Sequence, residues 1–240
     1  QPTVVVGPML ARKDATHAVV SFETDVPVAA AVGVAGRAPV VSEGVSARHE
    51  ILLKNLEAEG TYRYSVAVSN GAGVSSTPPR TFRWLPIESP LTLAIMSDSR
   101  AGSGPGLSSH NGVNVDILGR LVTGAYRQGA QLMLFPGDLI DGYTTSTDVF
   151  QSQLTTWLQA VEGVGGVVPI LTGMGNHEAL LNAWTDGMEA DKTGDASSEA
   201  VFARRMVNPR NGPPPEIPGA PTYDESVYSL DVAGVHLVML

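Results

Sequence analysis

Three apolar runs, each followed by a short polar loop, constrain the fold of this chain more than any other feature. The runs at residues 91–96, 132–135 and 167–171 have the length and composition of buried strands. The loops that follow read Ser-Asp-Ser-Arg at 97–100, Gly-Asp-Leu-Ile-Asp at 137–141 and Gly-Asn-His-Glu at 175–178. Open α/β sheets hold ligands in the loops at the carboxyl ends of their strands. We therefore expect the three loops to meet at one edge of a sheet.

The side chains of these loops form a set of hard metal ligands. Asp98, Asp138 and Asn176 offer oxygen and His177 offers nitrogen, a combination that suits two divalent cations. Gly-Asp and Gly-Asn are also ordinary turn pairs after strands, so either alone carries little weight. Because they occur in order and about 40 residues apart, they favour a metal site over a coincidence of turns.

The blocks at 137–141 and 175–178 resemble the second and third motifs of the calcineurin-like metallophosphoesterases, Gly-Asp-x-x-(Asp or Tyr) and Gly-Asn-His-(Asp or Glu). Among the branches of this family, the chain looks most like those with an N-terminal fibronectin-like domain, as in purple acid phosphatases. Two positions depart from the pattern. Arg100 stands where the first motif, Asp-x-His, has its histidine, and Asp141 stands where purple acid phosphatases have a tyrosine.

This resemblance implies hydrolysis of a phosphoric monoester or diester by a hydroxide that bridges two metal ions. Asp98 is expected to bind the first metal, Asn176 the second through its amide oxygen, and Asp138 both. His177 is expected to act as general acid toward the leaving group, and Asp141 to support the ligands from outside. The two divalent or trivalent ions could be Fe, Mn, Zn or Mg, since these side chains accept each of them.

Glu178 and Arg100 are expected to serve the site without binding metal. Glu178 either orients His177 or caps the local backbone. Arg100 cannot bind a cation, and its preferred role is to clamp the oxygens of the phosphate ester in bidentate fashion. Alternatively, Arg100 pairs with Asp98 or Asp141 and marks a weakened first metal site. His110 could substitute as a ligand, although an ordinary loop histidine is the simpler interpretation.

Composition argues against several other classes of protein. A net charge of -9 disfavours a general nucleic-acid binder, and no apolar run reaches the roughly 18 residues of a membrane span. Cysteine is absent, so any metal must bind to oxygen and nitrogen. The lack of cysteine, with a start that has no signal peptide, leads us to expect a processed, secreted or periplasmic protein. No Gly-x-x-x-x-Gly-Lys phosphate loop occurs.

The pattern of the chain predicts two domains. Residues 1–85 contain short stretches in which apolar and polar residues alternate, separated by Gly, Pro and Asn, with Asn70-Gly71 as a hairpin turn signal. This pattern predicts an all-β sandwich similar to fibronectin type III. Residues 86–90 form a linker. Residues 91–240 alternate strand and helix, which predicts α/β layers and, by resemblance, the N-terminal part of a metallophosphatase sandwich.

Two expectations concern the second half of that domain. The second helix is expected to have Thr147 or Asp148 as its cap, and residues 179–222 to form an irregular surface excursion or lid. The chain then closes with a hairpin that turns at Ala233-Gly234 and ends on an apolar strand. A strand this apolar is normally covered by other elements on both of its faces.

By resemblance to the family, we therefore expect a missing C-terminal half domain, with two further histidine blocks, to complete the metal site. A hypothesis from another class competes with this one: a binding or adhesion protein whose phosphatase domain has degenerated. Arg100 in place of histidine and the missing ligands motivate it.

Overall fold

The computed structural model describes residues 1–88, 90–101, 109–142, 144, 146–179, 194–215, 218 and 222–240. Its N-terminal part is a curled antiparallel sheet. The strands are β1 (Val4–Arg12), β2 (Ala18–Val34), β3 (Val40–Val41), β4 (Ser46–Leu53), β5 (Thr61–Asn70), β6 (Gly73–Ser76) and β7 (Arg80–Arg83).

Strand β2 holds this sheet together because its two halves have different partners. The first half pairs with β1 and β4, and the second half pairs with β3 and β5. Strand β5 in turn pairs with β6 and β7. The turn between β5 and β6 is formed by Gly71 and Ala72, one residue later than the predicted Asn70-Gly71, because Asn70 still pairs with Gly73. Side chains from both halves of β2, including Phe22 and Val32, bury into one apolar core with Tyr64 and Phe82.

From residue 91 onward, short strands alternate with helices. The elements are β8 (Leu93–Ile95), β9 (Ser109–His110), β10 (Val113–Asn114), α1 (Val115–Arg127), β11 (Leu132–Phe135), α2 (Thr147–Gly165), β12 (Ile170–Thr172), α3 (Asn176–Ala179), a 3-10 turn (Gly194–Ala196), α4 (Ser198–Arg205), β13 (Tyr228–Val232) and β14 (Val235–Met239). Strands β12, β11 and β8 form a parallel sheet in that order. The mixed, β-rich architecture agrees with the predicted alternation of strand and helix.

Helices α1 and α2 pack together against this parallel sheet. The amphipathic face of α1 buries Leu118 and Val122. Helix α2 contributes Phe150 and Trp157 to the same core, and the Trp157 ring meets Phe135 edge-on at a centroid distance of 5.2 Å. Burial of such aromatic side chains contributes about 2–3 kcal/mol each to stability, so this core fixes the sheet edge that carries the loops.

Several predicted boundaries differ from the structure. The cap of α2 is Ser146, whose hydroxyl accepts the amide hydrogen of Val149, rather than Thr147 or Asp148. Strands β8 and β12 are shorter than the apolar runs that predicted them, because each pairs with only three residues of the short strand β11.

The stretch predicted to be irregular contains a helix. Within the expected excursion 179–222, α4 begins after Ser197, whose hydroxyl accepts the amide hydrogen of Ala200 at 3.2 Å. Residues 180–193, 216–217 and 219–221 of that excursion lie outside the described residues, so its interpretation as a lid stays a prediction.

The β-sheet part and the α/β part share a closely packed seam. Val6 and Met9 of β1 belong to the apolar core that α1 and α2 build. The amide of Gly7 donates to Oε2 of Glu162 at 2.6 Å, and the buried hydroxyl of Tyr64 donates to the carbonyl oxygen of Gly166 at 2.7 Å. Apolar and polar contacts therefore join the two parts.

The C-terminal hairpin forms as predicted. Val232 pairs with Val235. The φ angles of Ala233 and Gly234 are both positive, 51° and 76°, as a two-residue type I′ hairpin turn requires. His236 lies on the exposed side of this hairpin and contacts Asp231 at 2.7 Å. None of the described helices combines the length and the apolarity that a membrane crossing needs.

Candidate functional site

The parallel sheet brings the three sequence motifs to one rim. Strand β11 pairs in parallel with β8 on one side and with β12 on the other, so all three strands end at the same edge. The loops that leave this edge are 96–100, 136–142 and 173–175, the last running directly into α3. Asp98, Asp138 and Asn176 therefore all leave the same end of one sheet.

Serine hydroxyls tie the first loop to the second. Ser97 Oγ donates to the carbonyl oxygen of Gly137 at 3.1 Å, and Ser99 Oγ donates to that of Leu139 at 3.0 Å. Ser99 in turn accepts a hydrogen bond from Nε1 of Trp157 at 2.9 Å. Asp98 lies between the two serines and is exposed, so its carboxylate is presented to solvent from a loop that is fixed on both sides.

Both candidate aspartates adopt a backbone conformation that is uncommon outside glycine. The φ angle is 57° at Asp98 and 53° at Asp138, in the left-handed region that aspartate visits more readily than most residues. Residues in such conformations concentrate at binding and catalytic sites, because the surrounding structure has to stabilise them. Their occurrence at both predicted metal-binding aspartates marks this rim as a candidate site.

Glu178 joins the second and third loops. Its fully buried carboxylate accepts four backbone N–H bonds: Oε2 from Gly175 and Asp138 at 2.8 Å each, and Oε1 from Leu139 at 2.8 Å and Ile140 at 3.1 Å. Burial, with the nearby charge of Asp138, raises the pKa of Glu178, whereas the N–H bonds from Gly175, Ile140 and Asp138 lower it. Of the two roles considered for Glu178, these contacts support the second, in which its carboxylate caps the local backbone.

Glycines permit the close approach of these two loops. A Cβ atom at Gly175 would lie 2.2 Å from Oδ1 of Asp138, and one at Gly137 would lie 2.2 Å from the amide nitrogen of Gly175. Gly137 also has a φ of 147°, which side chains rarely allow. The glycines of the two motifs are therefore required by packing.

His177 lies beneath the rim and faces Asp138. Its side chain is buried, its amide donates to Oδ1 of Asp138 at 3.3 Å, and its Nε2 lies 4.0 Å from Oδ2 of Asp138. Its Nδ1 lies 2.6 Å from the carbonyl oxygen of Asp141. A carbonyl only accepts, so Nδ1 must carry hydrogen, and Nε2 is the nitrogen that can gain or lose a proton.

The remaining predicted residues are placed as follows. Asp141 contacts His177 through its main-chain carbonyl. Arg100 pairs with Val113 through the backbone. Among the described residues, Arg100 makes no ion pair with Asp98 or Asp141, and its buried Nε has no hydrogen-bond partner.

Sequence reasoning did not identify Ser99 and Trp157 as supports of the site. The serines on either side of Asp98 were a usable signal, because alternate residues of an extended loop point the same way. The partnership with Trp157 depends on the packing of α2 and has no sequence signal. His110 lies on the exposed hairpin strand β9.

The side chains at the rim provide some, but not all, of the ligands that a hard cation needs. Asp98, Asp138 and Asn176 supply carboxylate and amide oxygens, the ligands that Mg and Mn prefer. Within the described residues, however, no group of three or more Asp, Glu, His or Cys side chains could hold a metal ion. The rim therefore offers part of a coordination shell.

Comparison with known proteins supports the fold. No protein-family model matches the chain, and no curated protein sequence does. The structure is similar to a purple acid phosphatase from yellow lupin (Lupinus luteus) seeds, with a TM-score of 0.65 and 16% identity over 99% of this chain and 44% of the lupin chain. The sensor domain of an anti-sigma factor from Pseudobacteroides cellulosolvens matches at a TM-score of 0.29 and 18% identity, over 38% of this chain and 81% of that domain, too low to carry an argument.

The likeness to the lupin protein is one of fold. It covers almost the whole of this chain but less than half of that protein, and at this identity it does not transfer an activity. It does show that the order of a curled β-sheet followed by α/β layers occurs in a purple acid phosphatase.

Proposed function

We propose that the rim formed by the loops after β8, β11 and β12 is part of the active site of a metal-dependent phosphoric ester hydrolase. The observation that carries this proposal is the position of Asp138. It adopts a left-handed conformation, its amide donates to Glu178, and its carboxylate faces His177. The surrounding structure thus stabilises an unfavourable conformation that presents a carboxylate to a titratable imidazole.

The residues of this chain take separate roles in that reaction. Asp98, Asp138 and Asn176 would hold two cations, and such cations would supply a lowered pKa of bound water and a counter-charge for the phosphate. His177 would be the general acid: its Nδ1 faces the carbonyl oxygen of Asp141, so Nε2 is the nitrogen through which a proton would reach the leaving group. Arg100 contacts phosphate oxygens through its guanidinium.

The wider features predicted from the sequence belong to the same proposal. The antiparallel pairing of residues 4–83 supports a fibronectin type III-like module, and the match to 44% of the lupin chain supports a larger active protein in which further imidazoles complete the metal site. We propose a secreted or periplasmic location for that protein.

A binding protein with a degenerate phosphatase domain is the second candidate. The donor set of the described residues favours it, because the rim lacks a third acidic or imidazole ligand. The two candidates differ in whether the rim attracts metal, which is measurable on the chain itself.

Paramagnetic line broadening tests metal binding residue by residue. Mn²⁺ is titrated into the isotopically labelled chain, and the amide signals of residues 98–99, 138–140 and 175–178 should broaden first. Asp138→Asn should weaken this broadening at least tenfold, whereas Asp116→Asn, on an exposed face of α1, should not. We expect weak binding to the wild type, since donors are few. Broadening that is equal in both variants, or that spreads over other acidic surfaces instead, would refute a metal site at the rim.

Turnover of a chromogenic phosphate ester with Mn²⁺, Fe or Zn²⁺ then separates the hydrolase from the binding protein. Activity that is lost in Asp138→Asn and retained in Asp116→Asn supports the hydrolase. Metal binding at the rim by the larger protein without any turnover of monoesters or diesters supports the degenerate form.

A further inference from the structure

A buried glutamine of helix α2 contacts the loop that holds His177. Gln153 is 8% exposed, and its Oε1 accepts the amide hydrogen of Gly142 at 2.9 Å. Because a backbone N–H only donates, the atom of the side-chain amide that faces Gly142 is the oxygen. Glutamine side chains are mostly exposed in proteins, so burial of this one places an acceptor inside the protein at a single backbone N–H.

The peptide group between Asp141 and Gly142 links Gln153 to His177. Its N–H donates to Oε1 of Gln153, and its C=O, which is the carbonyl of Asp141, lies 2.6 Å from Nδ1 of His177. One planar unit therefore joins the two side chains. Hydrogen bonds in such a chain polarise one another, so the bond at the N–H strengthens the bond that the C=O accepts. Gln153 can thus act on the imidazole through the backbone.

The surrounding contacts restrict this peptide group. The amide of Asp141 donates to the carbonyl oxygen of Gly112 at 2.9 Å. Gly142 has a φ of 62°, and a Cβ atom there would lie 1.9 Å from the carbonyl oxygen of His177, so the two backbones are in direct contact. Gln153 packs equally closely on Gly112, where a Cβ atom would lie 2.7 Å from its Cδ. Two glycines therefore make room for the glutamine and for the loop that it contacts.

Helix α2 directs two side chains at the rim. Gln153 and Trp157 are four residues apart and therefore share one face of the helix. Gln153 accepts from Gly142 in the second loop, and Trp157 donates to Ser99 in the first loop at 2.9 Å. A side chain that approaches a site from a capped, packed helix is held more precisely than one on a loop. Gln153 is therefore well placed to fix the position of its partner.

We propose that Gln153 is a positioning residue for His177. Through the Asp141–Gly142 peptide group, it fixes the orientation of the imidazole and keeps the hydrogen of the neutral ring on Nδ1, with Nε2 toward Asp138. Loss of the acceptor would leave a buried N–H unsatisfied, so the peptide group would turn and withdraw the Asp141 carbonyl from the ring. The use of this orientation in proton transfer rests on the function proposed for the rim, whereas the orientation itself does not.

The tautomer of His177 tests this proposal. Correlation spectra of the ring protons and nitrogens distinguish the Nδ1–H form of a neutral imidazole from the Nε2–H form. They are recorded on the whole ¹⁵N-labelled chain with EDTA at about pH 9, where histidine side chains are neutral, and the signals of His177 are assigned by their loss in His177→Gln. The wild type should show mainly the Nδ1–H form.

Variants decide whether Gln153 is responsible. Gln153→Met keeps the size of the side chain without its acceptor and should raise the share of the Nε2–H form about threefold or more. Gln153→Glu keeps an acceptor oxygen and should restore the wild-type ratio. The control Gln159→Met removes an amide that bonds Val5 on the exposed side of the same helix and should change nothing at His177. If Gln153→Met does not fold, Gln153→Asn, whose shorter amide falls short of Gly142, takes its place.

Three results would overturn the proposal: a wild-type His177 mainly in the Nε2–H form, a wild-type ratio in the folded variant that lacks the acceptor, or a Gln153→Glu protein that behaves like Gln153→Met. The hydrolase proposal is tested separately, because the spectra need neither metal nor substrate. If the wild type turns over a phosphate ester, Gln153→Met should lower kcat about tenfold or more with a smaller effect on KM, and Gln153→Glu should recover it. If the wild type has no turnover, the function proposed for the rim fails, and the tautomer ratios still decide the role of Gln153.

Discussion

Replacement of Glu178 by glutamine should separate the role of its carboxylate from the size of its side chain. In the wild type, each carboxylate oxygen accepts two backbone N–H bonds at 2.8–3.1 Å. The amide of glutamine keeps one oxygen and replaces the other with an NH₂ group. Two buried N–H groups then face a donor and lose their acceptor.

The expected loss follows from these two orphaned donors. A buried N–H without an acceptor costs about 1–3 kcal/mol, so the pair costs about 2–6 kcal/mol. Glutamine carries no charge, and relief of the desolvation of a buried carboxylate offsets part of this loss. We expect Glu178→Gln to lower the free energy of unfolding by about 3 kcal/mol.

Urea unfolding followed by circular dichroism measures this loss. With a slope of about 3 kcal/mol per molar urea, the midpoint should fall by about 1 M. Glu43→Gln removes the same charge from an exposed position and should change the free energy of unfolding by less than about 0.5 kcal/mol. Amide hydrogen exchange gives the local measurement, since Asp138, Leu139 and Gly175 should lose protection first. A Glu178→Gln protein as stable as the control, with these amides still protected, would show that the carboxylate does not join the loops.

Three further predictions concern packing and protonation. Gly175→Ala should cost about 1–3 kcal/mol or more in urea unfolding, because its Cβ would lie 2.2 Å from Asp138, whereas Gly163→Ala, with open space around it, should be neutral or stabilising. Tyr64→Phe should cost about 1–2 kcal/mol, because the buried acceptor at the seam loses its donor; equal unfolding midpoints would contradict this. Burial raises the pKa of Glu225 from 4.5 to about 7, so the native state retains a proton that the unfolded chain releases, and stability should fall by on the order of 3 kcal/mol as the pH rises from 4.5 through 7. Unfolding at pH 5, 6, 7 and 8 should show this slope reduced in Glu225→Gln, and identical pH profiles would contradict the assignment.

The sequence predicted those parts of the fold that depend on local pattern. The strand at 132–135 and the turn at Ala233-Gly234 were placed correctly, because an unbroken apolar run and a Gly-containing pair are strong local signals. The length of β8 was wrong because a partner strand sets where pairing stops. Helix α4 was missed because its stretch is short and its core contacts, Val201 and Phe202, come from tertiary packing.

The sequence was sufficient to predict which loops form the candidate site, but not which side chains contact one another there. The order of Asp98, Asp138 and Asn176 after apolar strands was enough to place them at one sheet edge. The four hydrogen bonds of Glu178 and the contact of Ser99 with Trp157 depend on how separate segments pack, which no single stretch of sequence encodes.

The burial of Val6 and Met9 within the α/β core bears on how this chain could have been assembled in evolution. A β-module that merely precedes an enzyme can be exchanged or deleted as a cassette. Here, deletion of the first strand would leave a hole between α2 and the parallel sheet and a carboxylate at Glu162 without its N–H donor. Exchange or deletion of the β-sheet part alone should therefore expose apolar side chains of the α/β core.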